Sequence, residues 1–321
     1  VTLEATSRRS ARNLVDASRP YAFCIEQERA EFGGVVSVAT IFLTNRECPW
    51  RCLYCDLWRN ALTETVRRGA IPSQIDFALE HLRMEKPRQI KLYNAGSFFD
   101  RKAIPPEDFP AIAQRVSRFE RVIVECHPAL VGASAVRFRD LLLPPAKLEI
   151  AMGLEIADDA TLAKLNKRMT LALFARAAKF LREHDMAMRA FVMVKPPFVR
   201  SDEEALAFSN RSVDFAFNCG ATAVSLIPAR FGTRELDRLA ESGDFAPPEL
   251  STLEAALDYG IGLQRGRVFA DLWDLEKFAG CSGCFAARRE RFVRMNLEQI
   301  VSPRIDCGLC ARQKAENGSN S

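Results

Sequence analysis

No apolar run in the 321 residues reaches the roughly 18 that a membrane-crossing helix needs, because Arg, Lys or Asp interrupts each one. The N-terminal stretch, residues 1–10, has no hydrophobic region of the signal-peptide kind, and the expectation is a cytoplasmic protein without a membrane partner. Internal repeats and low-complexity stretches are missing too. Charge imbalance is small: 45 Lys and Arg against 41 Asp and Glu leave +4, which permits a polyanionic partner without arguing for one. Histidine is scarce. Of the three, His81 and His184 fall in helical segments, which leaves His127 as the one that ends a strand. With 48% hydrophobic and 27% charged residues, the chain has the composition of a globular protein with a large core.

Cysteine, by contrast, is plentiful and patterned. Cys48, Cys52 and Cys55 form C-x3-C-x2-C on the segment that leaves the buried strand 35–44. Closely spaced cysteines in a chain without a secretory signal do not suggest disulfides. The spacing alone is open to part of a zinc site. It also suits three irons of a cubane, leaving the fourth without a protein ligand, whereas an electron-transfer cluster takes a cysteine on every iron. An open iron implies a further ligand there, which makes the motif catalytic.

Strand-like and helix-like segments then alternate. Strands are expected at 35–44, 89–94, 121–127, 147–155, 188–195 and 222–227. Helices are expected at 71–82, 105–119, 133–143, 171–184, 201–218 and 248–263. Six strands each followed by a helix imply parallel pairing through right-handed crossovers. Periodicity leaves an open doubly wound sheet and a partial barrel equally available.

The cysteine spacing, the strand before it and Tyr54 ahead of the last cysteine resemble the radical S-adenosylmethionine (SAM) superfamily. The resemblance implies an α/β fold, a (β/α)6 partial barrel over 35–265, with its site at the C-terminal strand ends. It places an N-terminal extension at 1–34 and a small cysteine-rich extension at 266–321. It further implies a [4Fe–4S] cluster on Cys48, Cys52 and Cys55, whose open iron is chelated by SAM. The reduced cluster then cleaves SAM to a 5′-deoxyadenosyl radical, fed by a reductant such as flavodoxin or ferredoxin. The strand-end motifs, Tyr93-Asn-Ala-Gly-Ser97, Glu125-Cys-His-Pro128, Gly153-Leu-Glu155 and Lys167-Arg-Met-Thr170, look like the Elongator-like branch. Within it the chain is similar to the radical SAM subunit of archaeosine synthase and its relatives. On that resemblance Tyr54, Asn94, Gly96, Ser97, Glu125, Glu155 and Arg168 are candidate SAM contacts, with Arg168 preferred to Lys167 as the cation for the SAM carboxylate. His127 is a candidate general acid or base, substrate contact or structural residue. Lys195, ending a strand before two prolines, is a candidate catalytic lysine or a plain snorkelling one.

The last fifth holds a second constellation. Cys281-Ser-Gly-Cys284 and Cys307-Gly-Leu-Cys310 are two C-x2-C pairs with 22 residues between them, near the zinc pattern and also suited to a second iron–sulfur cluster. Between them Arg288, Arg291 and Arg294 align on one helical face, a candidate phosphate-contacting surface. Three functions stay open: a radical SAM enzyme modifying RNA or a nucleoside, with tRNA as partner; one acting on a small molecule, peptide or protein; and a non-catalytic iron–sulfur or zinc protein that binds a partner.

Overall fold

Strand sequences such as Gln89-Ile-Lys-Leu-Tyr-Asn94 and Lys147-Leu-Glu-Ile-Ala151 alternate apolar with polar or charged residues, which gives each strand two unlike faces. The computed structural model, which describes residues 11–310, shows what each face meets. Eight strands form one sheet in sequential order: β1 (Ala22–Arg29), β2 (Val35–Leu43), β3 (Gln89–Asn94), β4 (Arg121–Glu125), β5 (Lys147–Glu155), β6 (Ala187–Val194), β7 (Ala223–Pro228) and β8 (Arg267–Ala270). β1 pairs antiparallel with β2, and every later neighbour is parallel. The sheet is curled into a half-barrel, the α/β architecture expected from the sequence.

Nine helices are found among the described residues: α1 (Ala70–His81), α2 (Phe109–Val116), α3 (Ala133–Leu141), α4 (Asp159–Lys164), α5 (Leu171–Glu183), α6 (Asp202–Asn218), α7 (Arg234–Glu241), α8 (Leu250–Gly262) and α9 (Ser282–Glu298). The apolar strand face, with Ile41, Leu92, Val124, Ile150, Val192 and Leu226 all sealed from solvent, belongs with helix residues such as Ile75, Ile112, Phe138, Phe174 and Leu253 to one core. None of these helices is long and apolar enough to cross a membrane.

The other, concave face carries charge. Register puts Glu26 and Glu28 of β1, Lys91 of β3, Arg121 of β4, Glu149 of β5, Arg189 of β6 and Arg267 of β8 on it. Glu149, fully buried, meets Arg189 at 2.8 Å and Arg121 and Arg267 at 3.3 Å each. Glu28 takes Arg189 at 2.5 Å and Lys91 at 2.7 Å, and Glu26 takes Lys91 at 3.0 Å. Burial opposes the Glu28 and Glu149 carboxylates, but these cations outweigh it and hold both below the usual carboxylate range. This network fills the N-terminal end of the half-barrel and leaves the C-terminal end to the site.

The sheet runs beyond the 35–265 expected for the barrel. β1 lies in the segment read as an N-terminal extension and β8 in the C-terminal one; residues 1–10 and 311–321 of those extensions lie outside the described residues. In sequence β1 reads as polar loop, because Cys24, Glu26 and Glu28 lie on its inner face. β8 is four residues long.

Candidate active site at the C-terminal strand ends

The cysteine loop leaves the end of β2, and its first residues are clamped by a buried glutamine. Gln74 of α1 accepts from the Thr44 N–H and donates to the Thr44 carbonyl, both at 2.8 Å. Further on, Asn166 donates to the Trp50 and Arg51 carbonyls at 3.2 and 2.9 Å, and the Leu53 N–H donates to Leu165. Thr233 donates to the Leu53 carbonyl at 3.0 Å, and Arg12 pairs with Glu47 at 2.6 Å. A loop pinned from so many elements is preorganised, as a metal-ligand loop has to be.

Gly96 follows β3 with φ of +148°, and a Cβ there would stand 3.3 Å from Cys48 Cβ. It lets the cysteine loop itself come close. Burial pushes the thiols up, Cys48 to about 11 and Cys55 to about 12, with Cys52 raised as well; Cys52 adds to the rise of the other two, and Cys48 to that of Cys55. Bare, the three are neutral at pH 7; bound metal is what holds such groups as thiolates.

Glu155 and Lys167 meet at 2.6 Å, and Lys167 also donates to the Tyr54 hydroxyl at 3.3 Å. Burial works against the Lys167 ammonium, but Glu155 and Cys52 outweigh it and keep it above its ordinary value. Gly153 makes room for the pair: a Cβ there would sit 2.3 Å from Glu155 Oε1 and 2.5 Å from Lys167 Nζ. Gly153→Ala should therefore split the pair and lower stability by roughly 1–3 kcal/mol, read from urea denaturation. In a Glu155→Ala background, which removes the nearest atom and frees the Lys167 ammonium to move, the same change should lose most of that effect; equal losses in both backgrounds would argue against a clash with the pair.

Arg168, preferred from the sequence, is exposed and faces a shallow cleft with Asn166, Met169 and Arg176, while its neighbour Lys167 is the buried cation beside the cysteines. Nothing in the order Asn166-Lys-Arg distinguishes the two; left-handed backbone at Asn166 and Arg168 turns Lys167 inward between them. Lys195 is also turned aside. Its ammonium pairs with Asp202 at 2.5 Å, and Asp202 accepts from Thr252 and the Glu249 N–H, which joins the starts of α6 and α8.

His127 has both ring nitrogens engaged. Nδ1 accepts from the Ala129 N–H at 3.2 Å, which puts the proton on Nε2, donated to the Lys167 carbonyl at 3.0 Å. Its ring stacks on Trp50 at 4.5 Å, and its N–H donates to Ser97 Oγ at 2.8 Å. Burial, then the Lys167 charge, pushes it down to about 4. In this geometry His127 is a neutral brace tying strand end, cysteine loop and Lys167 together, with no proton to trade near pH 7.

Glu125 accepts from the Asn94 N–H at 3.1 Å, and burial pushes it up to about 8. Folded, it holds a proton that the unfolded chain has released above its ordinary range, so it removes stability as pH rises toward 8. Glu125→Gln should flatten that fall by on the order of 1 kcal/mol between pH 6.5 and 8; His127 is common to both proteins and drops out of the difference. Parallel slopes of melting temperature against pH in the two proteins would count against it.

Several buried polar atoms around the loop have no partner: Thr44 Oγ1, Asn45 Oδ1, Trp50 Nε1, and both Oδ1 and Nδ2 of Asn94, itself 1% exposed. Unsatisfied buried groups of this kind cost about 1–3 kcal/mol each, and their concentration beside three cysteines fits a polar ligand bound there. Inward from them Phe42, Tyr93 and Phe191 lie in edge contact on the concave face, with Trp273 at the rim.

In the tail, Cys281, Cys284, Cys307 and Cys310 bring four sulfurs within 4.8 Å of one another, as their spacing predicted. The neighbouring arginines correct an expectation. Arg288 pairs with Glu254 at 2.6 Å, and Arg291, fully buried, pairs with Asp258 at 2.5 Å and donates to Ser302. Two of the three arginines read as phosphate-contacting thus lie in the seam between α8 and α9, claimed by Glu254 and Asp258, while Arg294 is exposed and donates to Ser302 Oγ at 3.2 Å.

No family model matches this chain. An uncharacterised protein of Methanocaldococcus jannaschii is 21% identical over 305 residues, 90% of this chain and 83% of that one. The beta subunit of archaeosine synthase from Methanosarcina acetivorans is 26% identical over 220 residues, 66% of this chain. This chain is similar to an archaeosine synthase subunit. It spans 63% of that subunit's length. The likeness drawn from the cysteine loop and strand-end motifs is borne out by that match. Among solved structures, the archaeal Elp3 of Methanocaldococcus infernus aligns at TM-score 0.47 and 16% identity, over 62% of this chain and 51% of its own.

Proposed function

We propose that this protein is a radical SAM enzyme. Cys48, Cys52 and Cys55 would hold a [4Fe–4S] cluster, and Asn94, Glu125, Glu155, Lys167 and Tyr54 would frame SAM beside it. The observation that carries this reading is the pinned three-cysteine loop ringed by buried polar atoms without partners, with Gly96 drawn against Cys48. When bound, cluster and SAM together supply one-electron cleavage of a carbon–sulfur bond and hydrogen abstraction.

The chain's own residues bind, orient and exclude water. The Asn94 side chain offers a donor and an acceptor with no competing partner. Lys167 offers a positive charge to a carboxylate, with Glu155 fixing its ammonium. Glu125, protonated at neutral pH, donates as well as accepts. His127 and Trp50 keep the loop in register with Lys167. The charged network closes the far end of the half-barrel, so substrate enters past Trp273 at the rim.

An RNA or nucleoside substrate is favoured by the relative's name, archaeosine synthase, and by the aromatic lining of Phe42, Tyr93 and Phe191, on which a planar base can stack. That name also makes a partner chain part of the proposal, together with a flavodoxin- or ferredoxin-type reductant. Anaerobic reconstitution with iron and sulfide, followed by SAM and dithionite, should yield 5′-deoxyadenosine. A reconstituted protein that holds the cluster and leaves SAM intact would overturn the reading.

A further inference from the structure

We propose that Cys281, Cys284, Cys307 and Cys310 hold one tetrahedral ion of the zinc class, and that this ion fastens α9 across the open side of the half-barrel. The proposal goes beyond the radical SAM reading and does not depend on it. Zinc–thiolate bonds of about 2.3 Å place neighbouring sulfurs of a tetrahedron roughly 3.8 Å apart. The sulfurs of Cys281 and Cys307 stand 4.0 Å apart and those of Cys284 and Cys310 3.6 Å, which is the scale of a single ion. A cubane has an iron at each corner and holds its thiolates wider. The two knuckles also touch directly: a Cβ on Gly283 would lie 2.9 Å from Leu309 Cδ1.

What the ion would hold in place is visible along α9. Sheet order makes β1 and β8 the two free edges, and α9 packs against both. On the β8 side its amide side chains stand in for a ninth strand. Asn296 accepts from the Ala270 N–H at 2.9 Å and donates to the Ala270 carbonyl at 2.8 Å. Gln299 accepts from the Val268 N–H at 2.6 Å and donates to the Val268 carbonyl at 2.9 Å. An edge strand satisfied in this way offers no ladder to another chain. Phe292 and Met295, both sealed from solvent, fill the space behind. The segment after α9 returns toward the knuckle, held by Arg291 to the Ser302 and Pro303 carbonyls and by Arg304 to Asp258. Cys281 and Cys284 sit at the start of α9, and Cys307 and Cys310 at the end of that return, so one ion closes the loop between them.

The test uses the full chain with Cys48, Cys52 and Cys55 all changed to Ala, so that no iron from the other site intrudes. Metal analysis should give about one zinc per chain without acid-labile sulfide, and exchange with Co2+ should give intense d–d bands of a tetrahedral thiolate site. Iron with sulfide, or no bound metal, would overturn the assignment. For the fastening role, amide exchange is followed as zinc is chelated: protection should fall in 267–270 and 22–29 while 147–155 stays protected. Unchanged protection at the two edges overturns that role. Should the stripped protein unfold outright, Asn296→Ala with Gln299→Ala decides the matter with the cysteines intact. It should keep the metal and speed exchange at 267–270 by about tenfold; parental exchange there would refute the latch.

Discussion

Cys52→Ala should give a protein that cannot be reconstituted to the brown, iron-bearing form and makes no 5′-deoxyadenosine, yet melts close to the parent. The side chain is one of three that would anchor the cluster, and a cubane held by two thiolates is not retained. The fold has other support at this point. Gln74 fixes the strand end, and Asn166 and Thr233 hold the loop through its carbonyls, none of which needs the Cys52 sulfur. Iron and sulfide content, the visible spectrum and product formation are read on one reconstituted sample. Parental iron content, or continued SAM cleavage, would sink the assignment of the three cysteines.

Glu149→Ala should have the largest effect on stability, a loss of roughly 3–5 kcal/mol. Its carboxylate is the shared partner of Arg121, Arg189 and Arg267 on the concave face. Removing it leaves three guanidiniums facing one another, with Arg189 1% exposed. Glu28 still neutralises Arg189, and Glu31 pairs with Arg121, but neither replaces the central charge. Urea denaturation should show the midpoint falling at an unchanged slope. A loss below about 1 kcal/mol would mean that solvent reaches the network. The wild-type acid limb carries the same signature. Because Glu28 and Glu149 lie below the usual carboxylate range when folded, their contribution is complete above that range and is lost as pH falls from it toward their lowered values.

Much of this architecture is legible in the sequence. The strands expected at 89–94 and 147–155 match residue for residue, and the helices at 71–82, 171–184 and 201–218 fall within one residue of those found. The order of the elements leaves doubly wound sheet and barrel open, but the strands carry a trace of the half-barrel. A parallel sheet with helices on both faces reads as continuous apolar strands, whereas Lys91, Glu149 and Arg189 alternate with Leu92, Ile150 and Ala190. Only one face of these strands is covered by helices. The tail quartet was legible because its spacing and its geometry express the same constraint. Lys167 was not, since its inward turn is set by backbone conformation rather than residue type. The fate of Arg288 and Arg291 was hidden for a different reason: a run of arginines looks alike whether it meets solvent or a neighbouring helix.

The charged floor has a consequence for heat. Glu26, Glu28, Glu31 and Glu149 balance Lys91, Arg121, Arg189 and Arg267, four anions against four cations. Hydration of ions weakens as temperature climbs, so withdrawing such groups from water becomes less unfavourable while the gain per area of apolar burial levels off. The base of the half-barrel should therefore be the last part of the sheet to loosen on warming, with the cysteine-bearing rim giving way first.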